Sequence, residues 1–257
     1  MKTKFIALIL LIIAGCMFSS CDSDSSTQSS GDVVADGTYF PAEDGTSYKY
    51  NVDKVNDTQT SGSRSSLYSG TTVHEGVIYQ IQIDSLTLSG LTTVNNAFFR
   101  KTDTGIFFFL DTTGISASIP DSLLSSLIFD TEMRIFLFPI NEGGNWPVFK
   151  MTLNIQGFPF SPVEVSANYV AKENLTLDLI RGNENVETVK IRFRLSIRTS
   201  PLSAGVNYDA FAWLAKNIGI VKWQGNGTII NAFTGGGIVF ADTSSTVTQN
   251  LVEYDVN

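Results

Sequence analysis

Residues 190–198 read KIRFRLSIR. Ile191, Phe193, Leu195 and Ile197 fall on one side of an extended chain, and Lys190, Arg192, Arg194, Ser196 and Arg198 on the other. Successive side chains of a strand point to opposite faces, so this alternation marks a strand with one buried and one wet face. Strands of that kind belong to antiparallel sheets. The same period recurs in IYQIQID (78–84), FKMTLNIQ (149–156) and NLTLDL (174–179). In the first of these, Tyr79, Ile81 and Ile83 share a face opposite Gln80, Gln82 and Asp84. FFRKTDTGIFFFLD (98–111) predicts a hairpin that turns around Asp103 to Gly105. The spacing of such segments predicts about ten to twelve strands. The expected fold is mainly β: an antiparallel sheet curved into an open barrel or a two-layer β structure, with two short helices. One helix is expected in PDSLLSSLIF (120–129), with Asp121 or Ser122 placed to cap it. The other is expected in NYDAFAWLAKNIG (207–219), where Phe211, Leu214 and Ala215 have helical spacing before Gly219. The run IFFFLD (106–111) puts Phe107 and Phe109 on one face and Phe108 on the other, so a helix, a second layer or a ligand must cover its second side.

A phrase is written twice. YFPAEDGTSY ends at Tyr48, and LFPINEGGNW ends at Trp146, 98 positions later. Proline cannot donate to a ladder, so Pro41 and Pro139 mark chain that has not yet entered a central strand. Gly45 and Gly143 supply turn conformations closed to most residues. Each copy therefore reads as a loop that delivers a large aromatic into the first strand of a β unit. The expected organisation is a signal peptide (1–15), a tether (16–37) and one β-rich domain (38–257) of two similar halves, 38–137 and 138–257. A single continuous sheet is expected, because nothing linker-like separates the halves. Tyr48, Phe138, Trp146, Trp213 and Trp223 are the expected structural anchors.

The N-terminus is an address. Lys2 and Lys4 precede an unbroken apolar run from Phe5 to Ala14, too short to span a bilayer and suited to a signal peptide. The run leads into IAGC, ending at Cys16, which resembles the lipobox of bacterial lipoproteins. That resemblance implies cleavage before Cys16, which then carries the lipid, palmitate included. FSSC, ending at Cys21, is a rival site, although Phe18 stands where the lipobox wants Leu, Val or Ile. CDSDSS after it resembles acidic tags that send some lipoproteins to the outer surface. The implied location is the cell envelope, lipid-anchored to the outer membrane and either periplasmic or surface-exposed. Residues 17–35, rich in Ser, Asp, Gln and Gly, read as a flexible tether. Within the β part, the paired Phe-Pro, Gly and aromatic positions, with Trp213, Gly219, Val221 and Lys222 later and Leu251 and Tyr254 in a closing strand, resemble a group of uncharacterised exported β-rich bacterial lipoproteins. That resemblance brings no established activity.

Composition excludes several functions. Cys16 and Cys21 are the only cysteines, so the domain has no disulfide, zinc-thiolate site or thiol nucleophile. Removing residues 1–15 takes away two lysines and no acid, which moves the net charge from −8 to −10. Such a domain repels phosphate backbones, so nucleic acid is not an expected partner. His74 is the one histidine, too few for a multi-His metal site, and it reads as a surface or turn residue. Glu43 with Asp44, Glu184 with Glu187, and Asp209 lie near turns, and a glycosidase would need two carboxylates facing across a cleft. GNG (225–227) and TGGGIVF (234–240) lack the Lys and Ser/Thr of a phosphate loop and read as hairpin turns and a strand entry. Arg192, Arg194 and Arg198 form the strongest charged stripe, either an anion site or a solvated face with acids on neighbouring strands.

No catalytic residue, metal or cofactor is expected. The sequence points to a non-catalytic module that binds a hydrophobic small molecule or an envelope protein. A scaffold lipoprotein contacting another envelope protein and, last, a glycan hydrolase are the alternatives. The lipid assignment predicts that Cys16→Ala abolishes membrane partitioning. A variant that stays in the membrane fraction and still carries a diacylglycerol places the lipid on Cys21 instead.

Overall fold

The computed structural model describes residues 31–110, 126–155, 157–234 and 243–257. Cys16, Cys21 and the glycines after Thr234 lie outside the described residues, as does most of the helix expected at 120–129, whose described end, Leu127–Phe129, is a strand instead. The strands are β1 (Val33–Ala35), β2 (Ser47–Val55), β3 (Gln59–His74), β4 (Val77–Leu88), β5 (Leu91–Thr102), β6 (Gly105–Phe109), β7 (Leu127–Phe129), β8 (Glu132–Leu137), β9 (Ile140–Asn141), β10 (Asn145–Ile155), β11 (Phe158–Leu179), β12 (Gly182–Ile197), β13 (Val206–Ala215), β14 (Gly219–Asn226) and β15 (Thr246–Asp255). Thirteen of them form one sheet in the order β7-β10-β11-β12-β13-β14-β15-β2-β3-β4-β5-β6-β8, and β1 pairs separately with β9. All the pairings are antiparallel. Two meanders, β2 to β6 and β10 to β15, are thus zipped together where β15 pairs with β2, Tyr254 opposite Tyr48.

The order forces the sheet to roll up. β7 and β8 stand at opposite ends of it, yet only Asp130 and Thr131 separate them in the chain. Asp130 also clamps β10, its amide donating to the Lys150 carbonyl and its carboxylate accepting from the Lys150 amide at 2.7 Å. The Trp146 indole donates across the seam to the Ile135 carbonyl at 3.1 Å. No backbone ladder joins β8 to β10 among the described residues, so the sheet is a curved, open antiparallel structure.

The interior is aromatic. Phe136 meets Phe40, Phe138 and Phe193 at centroid distances of 6.0, 6.2 and 6.1 Å, which links the two meanders. The helix is not where the periodicity placed it. Residues 207–215 are strand: Ala210, Ala212 and Leu214 are fully buried inward, while Asp209, Phe211 and Trp213 point outward. Apolar residues on both faces made the two periods indistinguishable there. The helix instead is α1 (Gly227–Phe233), in the segment read as a hairpin turn. The Asn226 side chain caps it by accepting from the Thr228 and Ile229 amides. Its Phe233 packs on Phe193 at 4.9 Å and Trp223 at 5.8 Å, so α1 plugs the rolled sheet.

The doubled phrase is one device built twice. The Thr46 amide donates to the Glu43 carbonyl at 3.1 Å, and the Gly144 amide donates to the Asn141 carbonyl at 2.9 Å, at matching positions of the two copies. Gly45 and Gly143 have φ of 88° and 70° in the third place of these turns, the left-handed conformation of a type II turn. Both copies bury their phenylalanine, Phe40 or Phe138, against the same Phe136. Tyr48 opens β2 and Trp146 opens β10, both buried as expected. Gly143→Ala should cost about 1–2 kcal/mol, the left-handed penalty of an L residue, and Gly143→Asn less. Urea unfolding of both variants checks the order.

Candidate functional site

The rolled sheet has an inside, and part of that inside is polar. On β3, β4 and β15 the buried side chains include Arg64, Ser66, Gln82, Asp84 and Gln249. The Arg64 Nε donates to Asp84 Oδ1 at 2.8 Å, its Nη2 lies 2.5 Å from the same oxygen, and its Nη1 donates to Gln249 Oε1 at 3.1 Å. Gln82 Nε2 donates to Asp84 Oδ2 at 2.6 Å. The guanidinium lies 5.1 Å from the Tyr50 ring centre, and the Tyr50 hydroxyl donates to the Ile220 carbonyl at 2.8 Å. Burial pushes the Asp84 carboxyl above its ordinary pKa, opposed by the Arg64 charge and the Gln82 bond. Burial also drives the Tyr48, Tyr50 and Tyr68 hydroxyls upward. These tyrosines therefore stay neutral.

β4 thus turns its expected wet face inward. Gln82 and Asp84 are 3% and 2% exposed, while Ile81 and Ile83 stand half-buried on the outside. Alternation marks two faces but not which one faces the core, and here Arg64, twenty residues away, decides it. The space beside the cluster, between Tyr50, Arg64, Gln82 and Trp223, is a cavity of about 20 Å³, measured as room for the centre of a water molecule. A second space under α1, between Met133, Val165, Leu195 and Phe233, measures about 10 Å³. A water needs roughly 10–15 Å³ on this measure and two to four polar partners, so the first space has room for one water beside its polar groups, and the second is lined almost wholly by apolar side chains.

The outer side divides into two regions. On β11 to β13 each basic residue of the expected stripe has a partner. Arg194 binds Asp209 through two bonds of 2.8 and 2.9 Å, Arg192 donates to Asn168 at 2.9 Å, and Arg198 lies 3.6 Å from Glu164. Lys190 pairs with Glu173 at 3.0 Å and, with Lys222, sandwiches the Trp213 ring, whose indole donates to Glu173 at 2.7 Å. The arginine guanidinium lowers the Asp209 carboxyl pKa, and the Trp213 bond lowers that of Glu173. The stripe is thus a bonded face, Arg194 and Arg198 set against Asp209 and Glu164 and Arg192 held by Asn168.

The second region covers IFFFLD. The β3–β4 hairpin curls across the outside, so that His74 stacks on Phe109 at 4.4 Å and sits 4.5 Å from Phe98. The Tyr79 hydroxyl donates to Glu132 on β8 at 2.6 Å, and Arg100 grips the same carboxylate through two bonds of 2.6 Å. Burial and the Glu132 carboxylate push the Tyr79 hydroxyl up to about 12, and the Arg100 bonds hold Glu132 below its ordinary value. Arg100 also lies over Phe107 at 4.3 Å. The cover that both-sided apolarity demanded is a second layer made of this hairpin, Arg100 and Arg134, whose guanidinium lies 5.4 Å from the Phe107 ring, and His74 is part of it rather than a turn residue. The remaining acids serve local bonds. Glu43 accepts from the Ala42 amide, Asp44 from the Gly70 amide, Glu184 from Arg181, and Glu187 pairs with Lys172.

No family model matches the chain, and no curated protein matches it. Among solved structures it is similar to a candidate exported protein with a YmcC-like fold from Bacteroides fragilis, at 15% identity and a TM-score of 0.43, over 84% of this chain and 98% of that one. A candidate lipoprotein from Parabacteroides distasonis aligns at 10% identity and a TM-score of 0.39, over 84% and 98% of the two chains. The hypothetical lipoprotein YmcC of Escherichia coli aligns at 11% identity and 0.31, over 80% and 84%.

Removing one member of a buried ion pair leaves the other charge uncompensated, at a cost of about 3–5 kcal/mol. Arg64→Met should destabilise by that order at neutral pH. Asp84 is protonated more readily in the folded than in the unfolded chain, so the variant's deficit should be full above the folded pKa of Asp84. It should narrow as pH falls through that value toward the ordinary carboxylate range. Urea midpoints of variant and parent across pH 4 to 8 test the sign.

Proposed function

We propose that this chain is a lipid-anchored, non-catalytic interaction module of the cell envelope, tethered to the outer membrane, that docks an envelope protein with its surface rather than carrying a ligand inside. The filled interior supports this reading most directly. Cavities of about 20 and 10 Å³ compare with roughly 300 Å³ or more for ordinary ligand pockets. The one larger space among the described residues, about 270 Å³ beside Gly37, Pro41, Glu43, Lys101 and Asn257, is an open cleft on the surface with charged side chains in its wall, not a place inside the sheet for a hydrophobic molecule.

The surface offers a place for the partner. Residue 31 enters through β1, beside β9 at the start of β10, so the tether joins the end of the sheet where β2 and β10 begin. Antiparallel pairing puts the turns after β2, β4, β10 and β12 at the opposite end. Each of those turns shows a large apolar residue: Val55, Leu91, Phe158 and, in the last, Leu202 with Val206. Phe158 is 77% and Leu202 98% exposed. Single exposed apolar residues are ordinary, but four turns carrying them at one end form a candidate contact rim.

The test places a photoreactive side chain at Phe158 or Leu202 of the full-length chain in intact cells. Both positions should capture the same envelope protein, and a position on the arginine face, such as Ser196, should not. Native mass spectrometry of the full chain that finds a stoichiometric non-covalent lipid would overturn the surface reading in favour of a carrier.

A further inference from the structure

From Ser61 to Phe99 the chain holds only three charged side chains, Arg64, Glu75 and Asp84. Arg64 and Asp84 neutralise each other inside the sheet. Glu75 sits in the tight turn between β3 and β4. The outer face of β3, β4 and β5 therefore carries no charge as far as Phe98. It is built from cross-strand rows: Leu67 beside Ile83 beside Asn96, Ser65 beside Ser85 beside Val94, Ser63 beside Thr87 beside Thr92, with Ile81 opposite Phe98. Leu67 and Val94 are exposed, and Val73 and Ile78 stand on the solvent side of the curled hairpin next to them. The face is framed by charge, with Lys49 and Asp53 on β2 and Arg100 and Glu132 toward the other edge.

We propose that this face is a homodimer interface, with a second copy of the chain as its occupant. The chain carries a net charge of −8, so two copies repel each other over most of their surfaces. In a two-fold contact each patch meets itself, so charges near the axis meet like charges. An uncharged patch escapes that penalty, and depletion of charge is what marks interface cores. Flat Ser/Thr and aliphatic rows can pack face to face as two sheets do.

The tether supplies the geometry. It joins one end of the sheet, so a copy held from that end presents its sides, and this face among them, to neighbours in the same membrane. The span from Cys16 to residue 30 is fifteen residues, and a chain of that length reaches at most about 50 Å. Confinement so close to a shared surface raises the effective concentration of copies for each other. This part rests on the lipid anchor proposed above; the face does not.

The experiment uses full-length chain with Cys21→Ser in intact cells and one added cysteine, at Ser85, at Asn96 or, as control, at Ser196 on the charged face of β12. A short bismaleimide should give a dimer of this chain from Ser85→Cys and Asn96→Cys, and none from Ser196→Cys or from the Cys21→Ser parent. Adding Ser65→Glu should abolish the dimer without moving the urea midpoint of the monomer. Equal capture from Ser196→Cys, capture of a different protein, or no dimer from either face position overturns the proposal. Membrane fractionation of the same cells reports the anchor separately: protein in the soluble fraction refutes the lipid reading, while the pattern of cross-links still decides the face.

Discussion

Two residues, Asp130 and Thr131, join the strands that end a thirteen-stranded sheet. A flat sheet of that width would hold its outer strands about 4.8 Å apart per step, far beyond the reach of two residues. The sheet must therefore roll until β8 comes beside β10. Everything else follows from having an inside to fill. The twin Phe-Pro turns bring Phe40 and Phe138 to Phe136 at one end, and α1 drives Phe233 between Phe193 and Trp223 from the other. Seam bonds from Trp146 and Asp130 hold the edges together where no ladder does.

Within that constraint the two meanders solve the same problem differently. In β10 to β14 the inside is largely apolar, and charges on the outside find partners on adjacent strands at 2.8 to 3.6 Å. In β3 to β5 one ion pair is drawn inside, with Gln82 and Gln249 completing its bonds, and the outside from Ser61 to Phe98 is left without charge. A buried pair costs desolvation and stabilises only when its hydrogen bonds are met, as here. Its larger consequence is on the other face of the same strands. Alternation sends Ile81 and Ile83 outward whenever Gln82 and Asp84 go in. The internal cluster and the bare flank are two sides of one choice of register.

The surfaces left for function are accordingly external. An interior closed to all but a single water directs attention to the rim of turns remote from the tether and to the uncharged flank. They differ in kind, scattered apolar tips in the first case and a continuous ladder in the second, and they lie at a far end and on a side.

Much of the fold was legible in the sequence. KIRFRLSIR buries Ile191, Phe193, Leu195 and Ile197 as its period requires, the 98–111 hairpin turns where Asp103 and Gly105 place it, and both copies of the doubled phrase make a turn that seats an aromatic. These features are local, set by side-chain period and by the backbone freedom of Gly and Pro. Residues 207–215 misled because two apolar faces fit a helix and a buried strand equally well, and Gly227 hid a helix start behind a turn-like triplet. The site-level features were further from view. Nothing along the chain ties Arg64 to Asp84 and Gln249, His74 to Phe109, or Glu132 to Tyr79, since each pair is distant in sequence and close only once the sheet has rolled. Sequence alone determined that this chain is an antiparallel β protein with a lipobox-like start. Which face of β4 looks inward, what covers Phe109 and where a neutral flank appears were decided by the tertiary structure, because burial depends on what a strand's neighbours place on each side of it.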